Sequence, residues 1–280
     1  MEKKIKSNKL IQMWAVLILS VLLMPSTVFS YSVLWDTFHG VANGGNYQPS
    51  GYYQALVQHL GNNGFTVDTT SDGFLVDDPA DYDVIVVCLA SAYDSTYTTA
   101  EVESIVNFVA NGGGLLIMGD QQSHPNVNIQ PVASEFGITL GVSDTTGEPN
   151  PDYYNIYTSE LDRSHPVFEG FDEDDQIFIY AAGELSVSSP AFSIAEQEVT
   201  GKIVAAVAQH GQGRVVALGD SSLWATDEFW DYFHEADNPQ FSLNTFNYLA
   251  IPEPATVLLL GLGGLILLRN CKSAKAERIA

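Results

Sequence analysis

Basic residues are scarce in this sequence, and most of them lie near its two ends. Eleven Lys and Arg residues stand against 34 Asp and Glu residues, for a formal net charge of −23. Between residues 31 and 250 only Arg163, Lys202 and Arg214 are basic, against 31 carboxylates, so this stretch carries a formal charge of −28. Nucleic-acid affinity comes largely from cations that neutralise phosphates, so we exclude nucleic acid as a partner. A solvated surface explains the acidity better than a specific cation site.

Cysteine is also scarce, with Cys88 in an apolar run and Cys271 near the end of the chain. If both tails are removed, one thiol remains and no intramolecular disulfide can form. The region must then rely on its hydrophobic core alone. A thiol inside an apolar strand behaves as a small apolar group, so we expect Cys88 to pack in the core.

Strong catalytic and metal-ligand motifs are missing. Ser221 lacks the G-x-S-x-G turn of a hydrolase nucleophile, since its surroundings read GDSSL. The acidic run DEDD at 172–175 lacks the alternation that points oxygens at one calcium ion, so a solvated loop is favoured. The sequence therefore predicts no cofactor and no resident metal.

The first 30 residues have the three parts of a secretory signal peptide. Lysines at positions 3, 4, 6 and 9 precede an apolar stretch over 14–23, and Val28, Phe29 and Ser30 follow. We predict cleavage between Ser30 and Tyr31. An uncleaved N-terminal anchor is the alternative, although the apolar stretch is short for a membrane span.

Near the start of the last 30 residues, Pro252, Glu253 and Pro254 are followed by an apolar run over 255–268 and four dispersed basic residues. Fourteen helical residues reach about 21 Å, less than a hydrocarbon core of about 30 Å. The positive-inside rule places the basic end in the cytoplasm and the acidic domain outside. A plain single-span anchor is the alternative to a signal that is removed.

This order of motif, helix and basic end resembles the PEP-CTERM sorting signal. The resemblance implies recognition by an exosortase, a membrane cysteine protease, with cleavage near the motif. It further implies delivery to the surface or exopolysaccharide matrix of a Gram-negative bacterium. The expected partners are therefore the exosortase, the secretion machinery, the membrane at least transiently, and a polysaccharide.

Residues 31–250 alternate apolar strands with amphipathic helices. Nearly continuous apolar runs at 32–35, 84–89, 115–118, 203–207 and 215–218 predict buried strands of a parallel sheet. Helices are predicted from Thr99 to about Asn111, with a capping box of Thr98 and Glu101, and from about Gly51 to Leu60. We expect one doubly wound, mostly parallel α/β domain, with 126–186 as an insertion or peripheral layer.

The segments LWDTFHG at 34–40, DVIVV at 83–87, GGGLLIMGD at 112–120, SHP at 164–166 and GRVVALGDSS at 213–222 occur in this order. Together they resemble the class I glutamine-amidotransferase-like superfamily, in particular its non-catalytic and ThuA-like members, with a flavodoxin-like sheet. Catalytic members carry a cysteine after the strand that corresponds to 115–118. Here Gly119 and Asp120 follow instead, so glutamine hydrolysis is not expected.

Several polar residues fall at predicted strand ends or in loops, where open α/β sheets bind ligands. The candidate ligand-binding residues are Asp36, His39, Asp120, His165 and Asp220, and the weak catalytic candidates are Asp120, Asp220 and His124. They could hold a sugar or a divalent ion. The alternative is that the aspartates cap turns and the histidines bond local carbonyls.

An aromatic group near the end of the region offers a second candidate surface, as a stacking platform for sugar rings or as a lid on the core. It comprises Trp224, Phe229, Trp230, Tyr232 and Phe233. Two function classes follow: a non-enzymatic binding or structural protein of the matrix, or a degenerate carbohydrate hydrolase that uses strand-end Asp and His residues. The missing nucleophile favours the first.

Overall fold

The structure, a computed structural model, describes residues 30–90, 96–121, 124–145 and 155–250. Within these ranges the strands are β1 (Tyr31–Asp36), β2 (Phe65–Thr70), β3 (Val84–Cys88), β4 (Gly114–Met118), β5 (Ile138–Thr139), β6 (Asn155–Thr158), β7 (Ile177–Tyr180), β8 (Ser186–Val187), β9 (Phe192–Glu196), β10 (Ile203–His210) and β11 (Gly213–Leu218). The α-helices are α1 (Ala42–Gly45), α2 (Gln54–Asn62), α3 (Thr99–Ala110), α4 (Asn126–Ser134) and α5 (Asn238–Ala250). The predicted signal peptide and the C-terminal sorting segment lie outside the described residues.

A seven-stranded sheet in the order β2-β1-β3-β4-β11-β10-β9 forms the centre of the fold. The first five strands in this order are mutually parallel. The apolar runs of β1, β3, β4 and β11 are buried on both faces, as the nearly continuous hydrophobic pattern predicts. The mixed α/β class and the mostly parallel sheet are therefore confirmed.

One predicted parallel strand runs the other way. β10 pairs antiparallel with β11, and β9 pairs antiparallel with β10. The reason is a two-residue turn, because His210 pairs directly with Gly213 and leaves only Gly211 and Gln212 between the strands. So short a connection cannot cross over, and it forces a hairpin. Gly211 has φ +60, which a residue with a side chain adopts only at a cost.

Helices cover both faces of the sheet. Helices α2 and α5 pack on one face, with Leu56 and Phe241 in the same apolar cluster as Trp35 of β1. Helices α3 and α4 pack on the other face, with Ile105 and Ile129 in a second cluster. Because β1 connects to β2 on one side and β3 lies on its other side, the strand order reverses between β1 and β3.

The start of α3 confirms the predicted capping box. The Thr98 hydroxyl accepts a hydrogen bond from the backbone N–H of Glu101, and the Glu101 carboxylate accepts one from the backbone N–H of Thr98. Such a cap stabilises a helix by about 1 kcal/mol. The box also fixes the Glu101 side chain at the carboxyl end of the sheet.

The apolar pattern of the sequence did not predict some of the other elements. β2 reads FTVDTT with little apolar alternation, and α5 includes several polar residues in its buried face, such as Asn238 and Thr245. The region 126–186 adds no strand to the central sheet, since β5 pairs only with β8 and β6 only with β7. It is not wholly peripheral, however, because α4 covers one face of that sheet and Ile177 and Ile179 of β7 belong to the apolar cluster on the other face. Among the described residues, none of the helices has both the length and the apolar character that a membrane crossing needs.

Candidate functional site

Three of the predicted aspartates lie at the carboxyl end of the parallel strands. Asp36 ends β1, while Asp120 and Asp220 each follow a Gly after β4 and β11. These last two strands are neighbours, with Met118 paired to Leu218, so the repeated Gly-Asp ends lie side by side. The three carboxylates are all buried, at 2–4% exposure. The structure therefore brings them to one edge, as parallel strands require.

Asp36 and His39 form a buried cluster with Glu101 at the switch between β1 and β3. The imidazole Nδ1 of His39 lies 2.6 Å from Asp36 Oδ2, and its Nε2 lies 3.2 Å from Glu101 Oε1. The Tyr97 hydroxyl donates to the same Asp36 oxygen, and its ring stacks on the imidazole at 3.8 Å between centroids. Asp36 Oδ1 accepts from the backbone N–H of Phe38.

The charge of His39 is set by these neighbours. Burial lowers the pKa of the imidazole, but the hydrogen bonds and negative charges of Asp36 and Glu101 outweigh it, and the pKa is raised above 6.5. A protonated ring can donate to both carboxylates at once. Burial, with the adjacent Asp36 charge, also raises the pKa of the Tyr97 hydroxyl well above 10. The cluster fills the switch point with satisfied polar groups.

Asp120 has different partners. Its Oδ2 accepts from the Ser221 hydroxyl, and its Oδ1 accepts from the backbone N–H of Gln121 at 2.7 Å. His124 Nε2 lies 3.7 Å from Oδ1, and this imidazole is 38% exposed. Burial raises the pKa of the Asp120 carboxyl, and the nearby His124 opposes that shift only in part. The predicted Asp120–His124 pair therefore exists at the edge of the sheet.

Asp220 is held by backbone donors. Its Oδ2 accepts from the N–H of Tyr180 at 2.6 Å, and its Oδ1 accepts from the N–H of Ser222 at 2.6 Å. Burial, reinforced by the charge of Asp120, raises the pKa of this carboxyl well above 3.8. Asp220 thus joins the end of β11 to the end of β7.

Cys88 lies in the same buried region, as the prediction of core packing requires. The Tyr53 hydroxyl donates to the carbonyl of Ser221 at 2.7 Å, and the Cys88 sulfur lies 3.3 Å from that hydroxyl oxygen. Burial raises the pKa of the Cys88 thiol to about 12. The thiol therefore stays protonated and unreactive at neutral pH.

The geometry does not support Ser221 as a nucleophile. Its side chain is 0% exposed, and its hydroxyl donates to Asp120. In a hydrolase triad the histidine lies between the serine and the carboxylate, where it can take the serine proton. Here the carboxylate of Asp120 lies between Ser221 and His124 instead. His124 is thus not placed to activate this serine.

His165 does not join the other candidates. Its ring packs edge-on against Tyr248 at 4.7 Å between centroids, and its Nδ1 accepts from the backbone N–H of Val167. Burial lowers the pKa of His165, and the charge of Arg214 near the start of β11 acts in the same direction. Six residues of extended strand, about 20 Å, separate Arg214 from Asp220. The expectation that His165 shares the strand-end site is therefore wrong, because its loop packs beside the opposite end of β11.

The acidic run at 172–175 packs around the half-buried side chain of Arg163. The Arg163 guanidinium donates to the backbone carbonyls of Ser159 (2.9 Å), Asp172 (2.6 Å), Glu173 (3.3 Å) and Asp175 (3.0 Å). The carboxylates of Asp172 and Asp175 accept from backbone N–H groups of the same loop. Among the described residues, no cluster of side chains suitable for a metal ion occurs.

A row of stacked aromatic rings lies beside Asp220. Tyr180 stacks on Tyr232 at 4.8 Å between centroids, and Tyr232 stacks on Trp230 at 4.7 Å. Tyr52 meets Trp230 edge-on at 4.9 Å, and Tyr47 meets Tyr52 edge-on at 5.2 Å. We call these five residues the aromatic row. All five side chains are half-buried, so each also reaches solvent.

Both ends of the aromatic row are tied to the strand-end carboxylate. At one end, the Asp220 carboxylate accepts a hydrogen bond from the backbone N–H of Tyr180. It also accepts one from the backbone N–H of Ser222, and the Ser222 hydroxyl lies 2.7 Å from the hydroxyl of Tyr47 at the other end. Burial raises the pKa of Tyr47, so its hydroxyl remains protonated and can donate or accept. The carboxylate therefore helps to position rings from two separate segments, Tyr180 directly and Tyr47 through Ser222.

The predicted aromatic group divides into core and surface. Trp224 and Phe233 are 0% and 2% exposed and belong to the apolar core, whereas Phe229 is 83% exposed. Trp230 and Tyr232 join the aromatic row. The tyrosines at 47, 52 and 180 were missed, because each occurs in a loop or strand end with no apolar periodicity. The Gly-Gly-Asn-Tyr sequence ending at 47 was the one local indication of an exposed ring.

Solved structures share this fold at low sequence identity. The mmIFT52 N-terminal domain matches with a TM-score of 0.65 and 14% identity, over 79% of this chain and 99% of that domain. A cytoplasmic protein from Salmonella typhimurium matches with a TM-score of 0.56 and 15% identity, over 80% and 100%. A protein from Bacteroides uniformis described as ThuA-like matches with a TM-score of 0.50 and 14% identity, over 80% and 93%. These likenesses concern the fold alone, and they confirm the ThuA-like resemblance at that level.

Family models match both the domain and the tail. No curated protein sequence matches this chain significantly. The PEP-CTERM protein-sorting motif matches residues 250–270, which include Pro252, Glu253 and Pro254, and implies export and surface sorting by an exosortase. The family described as Domain of unknown function (DUF4350) matches residues 45–245. The chain therefore belongs to the DUF4350 family and carries a PEP-CTERM sorting motif.

Proposed function

We propose that this protein is a non-enzymatic, polysaccharide-binding component of the cell surface or exopolysaccharide matrix, and that it binds through the aromatic row. The observation that carries the proposal is the row itself: five half-buried rings, four of them tyrosines, arranged side by side near the carboxyl end of the sheet. Sugar rings present apolar C–H faces and polar hydroxyl edges. Tyr and Trp offer a matching combination of apolar surface and hydrogen-bonding tip.

The row is also held in place before any ligand arrives. Its rings pack on one another, and Asp220 and Ser222 hold the segments that carry its two ends. Tyr and Trp have few rotatable bonds, so little conformational entropy remains to be lost on binding. Preorganisation of this kind supports a binding role.

We further propose that both tails are removed, with cleavage between Ser30 and Tyr31 and near Pro252–Pro254. The first central strand, β1, begins at Tyr31, and the last helix, α5, ends at Ala250. Cuts at these positions would therefore leave each described element intact. The mature product would be the acidic domain alone, outside the cell.

A degenerate carbohydrate hydrolase is the second candidate. Its support is the Asp120–His124 pair, a buried carboxyl of raised pKa beside a partly exposed imidazole. General acid–base catalysis needs such a group within reach of substrate. Both Asp120 oxygens, however, already accept protein donors, so the binding role is better supported.

The test compares binding with turnover on the same samples. Trp230→Ala should lose most binding to the host's purified exopolysaccharide, measured by co-sedimentation of the protein with the polymer. Phe192→Ala removes a 48% exposed ring from β9, away from the row, and should bind like the wild type. Asp120→Asn should leave binding intact. Release of reducing ends by the wild type that disappears in Asp120→Asn would instead support the hydrolase, and equal binding by Trp230→Ala would refute the role of the row.

A further inference from the structure

Resting on the proposed function, we infer that the polysaccharide recognised by the aromatic row carries amino sugars with free ammonium groups. Such a polymer combines sugar rings for stacking with positive charges for an acidic surface. The inference depends on the charges that surround the row and on the contacts made by the basic residues of the domain.

Trp230, the central ring of the row, lies in an acidic hairpin. The backbone N–H of Asp227 donates to the carbonyl of Trp230 at 2.8 Å, and Thr226 bridges to Asp231. The Asp227 carboxylate accepts from the backbone N–H groups of Phe229 (2.6 Å) and Trp230 (3.0 Å), which holds the backbone of the hairpin turn. Glu228 is exposed at the tip, next in sequence to Phe229. A ligand on Trp230 therefore meets negative charge.

The domain's basic side chains are all engaged elsewhere. Arg163 donates to carbonyls of the acidic loop, and Arg214 donates to the Tyr248 carbonyl at 2.8 Å and stacks on the Tyr248 ring. Lys202 donates to the Ser143 hydroxyl at 2.9 Å and to the carbonyl of Asp144. An anionic glycan with uronate or sulfate groups would gain no cation from these three residues.

The histidine closest in sequence to the row does not supply a cation either. His234 Nδ1 lies 2.8 Å from both oxygens of the Asp231 carboxylate. The Asp231 carboxylate is thus the direct partner of this ring. The field over the row is thus negative, which attracts cationic polymers and repels anionic ones.

The first test uses four hexamers that differ in charge or in the presence of sugar. The full chain in mild detergent is titrated with hexa-glucosamine, its fully N-acetylated form, hexa-mannuronate and hexa-lysine at mildly acidic pH. We expect hexa-glucosamine to bind at least about tenfold more tightly than the acetylated form, which is a difference of about 1.4 kcal/mol. Hexa-mannuronate should not bind, and added salt should reduce the preference.

Variants separate charge from stacking. Trp230→Ala should remove hexa-glucosamine binding, and Glu228→Gln should weaken it. Asp68→Asn neutralises one exposed carboxylate on the edge strand β2 and serves as the charge-matched control, with unchanged binding expected. Equal binding of hexa-lysine, or an equal effect of Asp68→Asn, would overturn the inference by reducing it to bulk charge.

The outcomes for the inference and for the proposed function differ. Equal affinity for acetylated and free amino sugars, both abolished by Trp230→Ala, would refute the amino-sugar preference and keep the polysaccharide-binding role. Binding of hexa-mannuronate in preference to hexa-glucosamine would likewise refute the amino-sugar preference and keep the polysaccharide-binding role. Failure of all three sugars and of the host polysaccharide would refute the proposed function itself.

Discussion

The carboxylate of Asp220 accepts a hydrogen bond of 2.6 Å from the backbone N–H of Tyr180. This contact joins the end of β11 to the end of β7, and it places the Tyr180 ring at the start of the aromatic row. A strand-end aspartate, the position at which enzymes of this fold class often bind ligands, here supports a surface instead.

Asp220→Ala should destabilise the domain and loosen the row. The change leaves the buried N–H groups of Tyr180 and Ser222 without acceptors, at a cost of about 1–3 kcal/mol each. Urea unfolding should show the loss, and near-ultraviolet circular dichroism should report weaker ring packing. Asp220→Asn keeps one acceptor oxygen and should lose less. If the alanine variant matches the wild type in both measurements, the positioning role of Asp220 is wrong.

His39 should make stability depend on pH. The pKa of His39 is raised in the folded state. Its contribution to the free energy of unfolding is therefore fully present below the unfolded-state pKa of 6.5 and is lost as pH rises through the folded-state pKa. His39→Gln should remove that part of the dependence and lower stability most in mildly acidic solution. The measurement is the free energy of unfolding of both proteins across this pH range.

The buried carboxyls Asp120 and Asp220 also have raised pKa values. Their contribution likewise falls as pH rises, but it begins to fall above their unfolded value of 3.8. The difference between wild type and His39→Gln cancels this background. A constant difference from pH 5 to pH 8 would contradict the assignment to His39.

Arg163→Lys should destabilise the loop at 172–175, even though the charge is kept. A single ammonium cannot reach the carbonyls that the planar guanidinium bonds at once. We expect a loss of about 1–2 kcal/mol, moderated by the partial exposure of the site. Limited proteolysis should cut the variant in this loop earlier than the wild type. Lys202→Arg, with the same kind of exchange at another site, should leave the loop's cleavage rate unchanged.

Cys88 should react with thiol reagents only when the domain unfolds. Its side chain is 5% exposed, and burial raises the pKa of the thiol to about 12. In a Cys271→Ser background, labelling at neutral pH should follow the global unfolding rate. Rapid labelling under native conditions would show that the region around Tyr53 opens locally.

Much of the edge of the sheet was predictable, because it follows from local patterns. Apolar runs predicted β1, β3, β4 and β11, and so placed Asp120 and Asp220 just beyond the ends of strands. That β4 and β11 are neighbours came from the structure. The prediction that β10 runs parallel to its neighbours was wrong, because apolar composition does not reveal strand direction. The two-residue turn at Gly211 and Gln212 was the local evidence for a hairpin.

The sequence by itself determined the class of the fold, the PEP-CTERM tail and the positions of the strand-end aspartates. Each of these depends on a contiguous pattern of apolar, glycine, proline and charged residues. The signal peptide and both cleavage events stay predictions.

Only the tertiary structure decided what the strand-end residues do. It paired His39 with Glu101, surrounded Asp220 with backbone donors, and placed Tyr47 and Tyr180 in one row with Trp230. The physical reason is that hydrogen bonds and ring contacts between distant segments depend on which strands become neighbours. That order is set by packing of the whole sheet and is not encoded in any one segment.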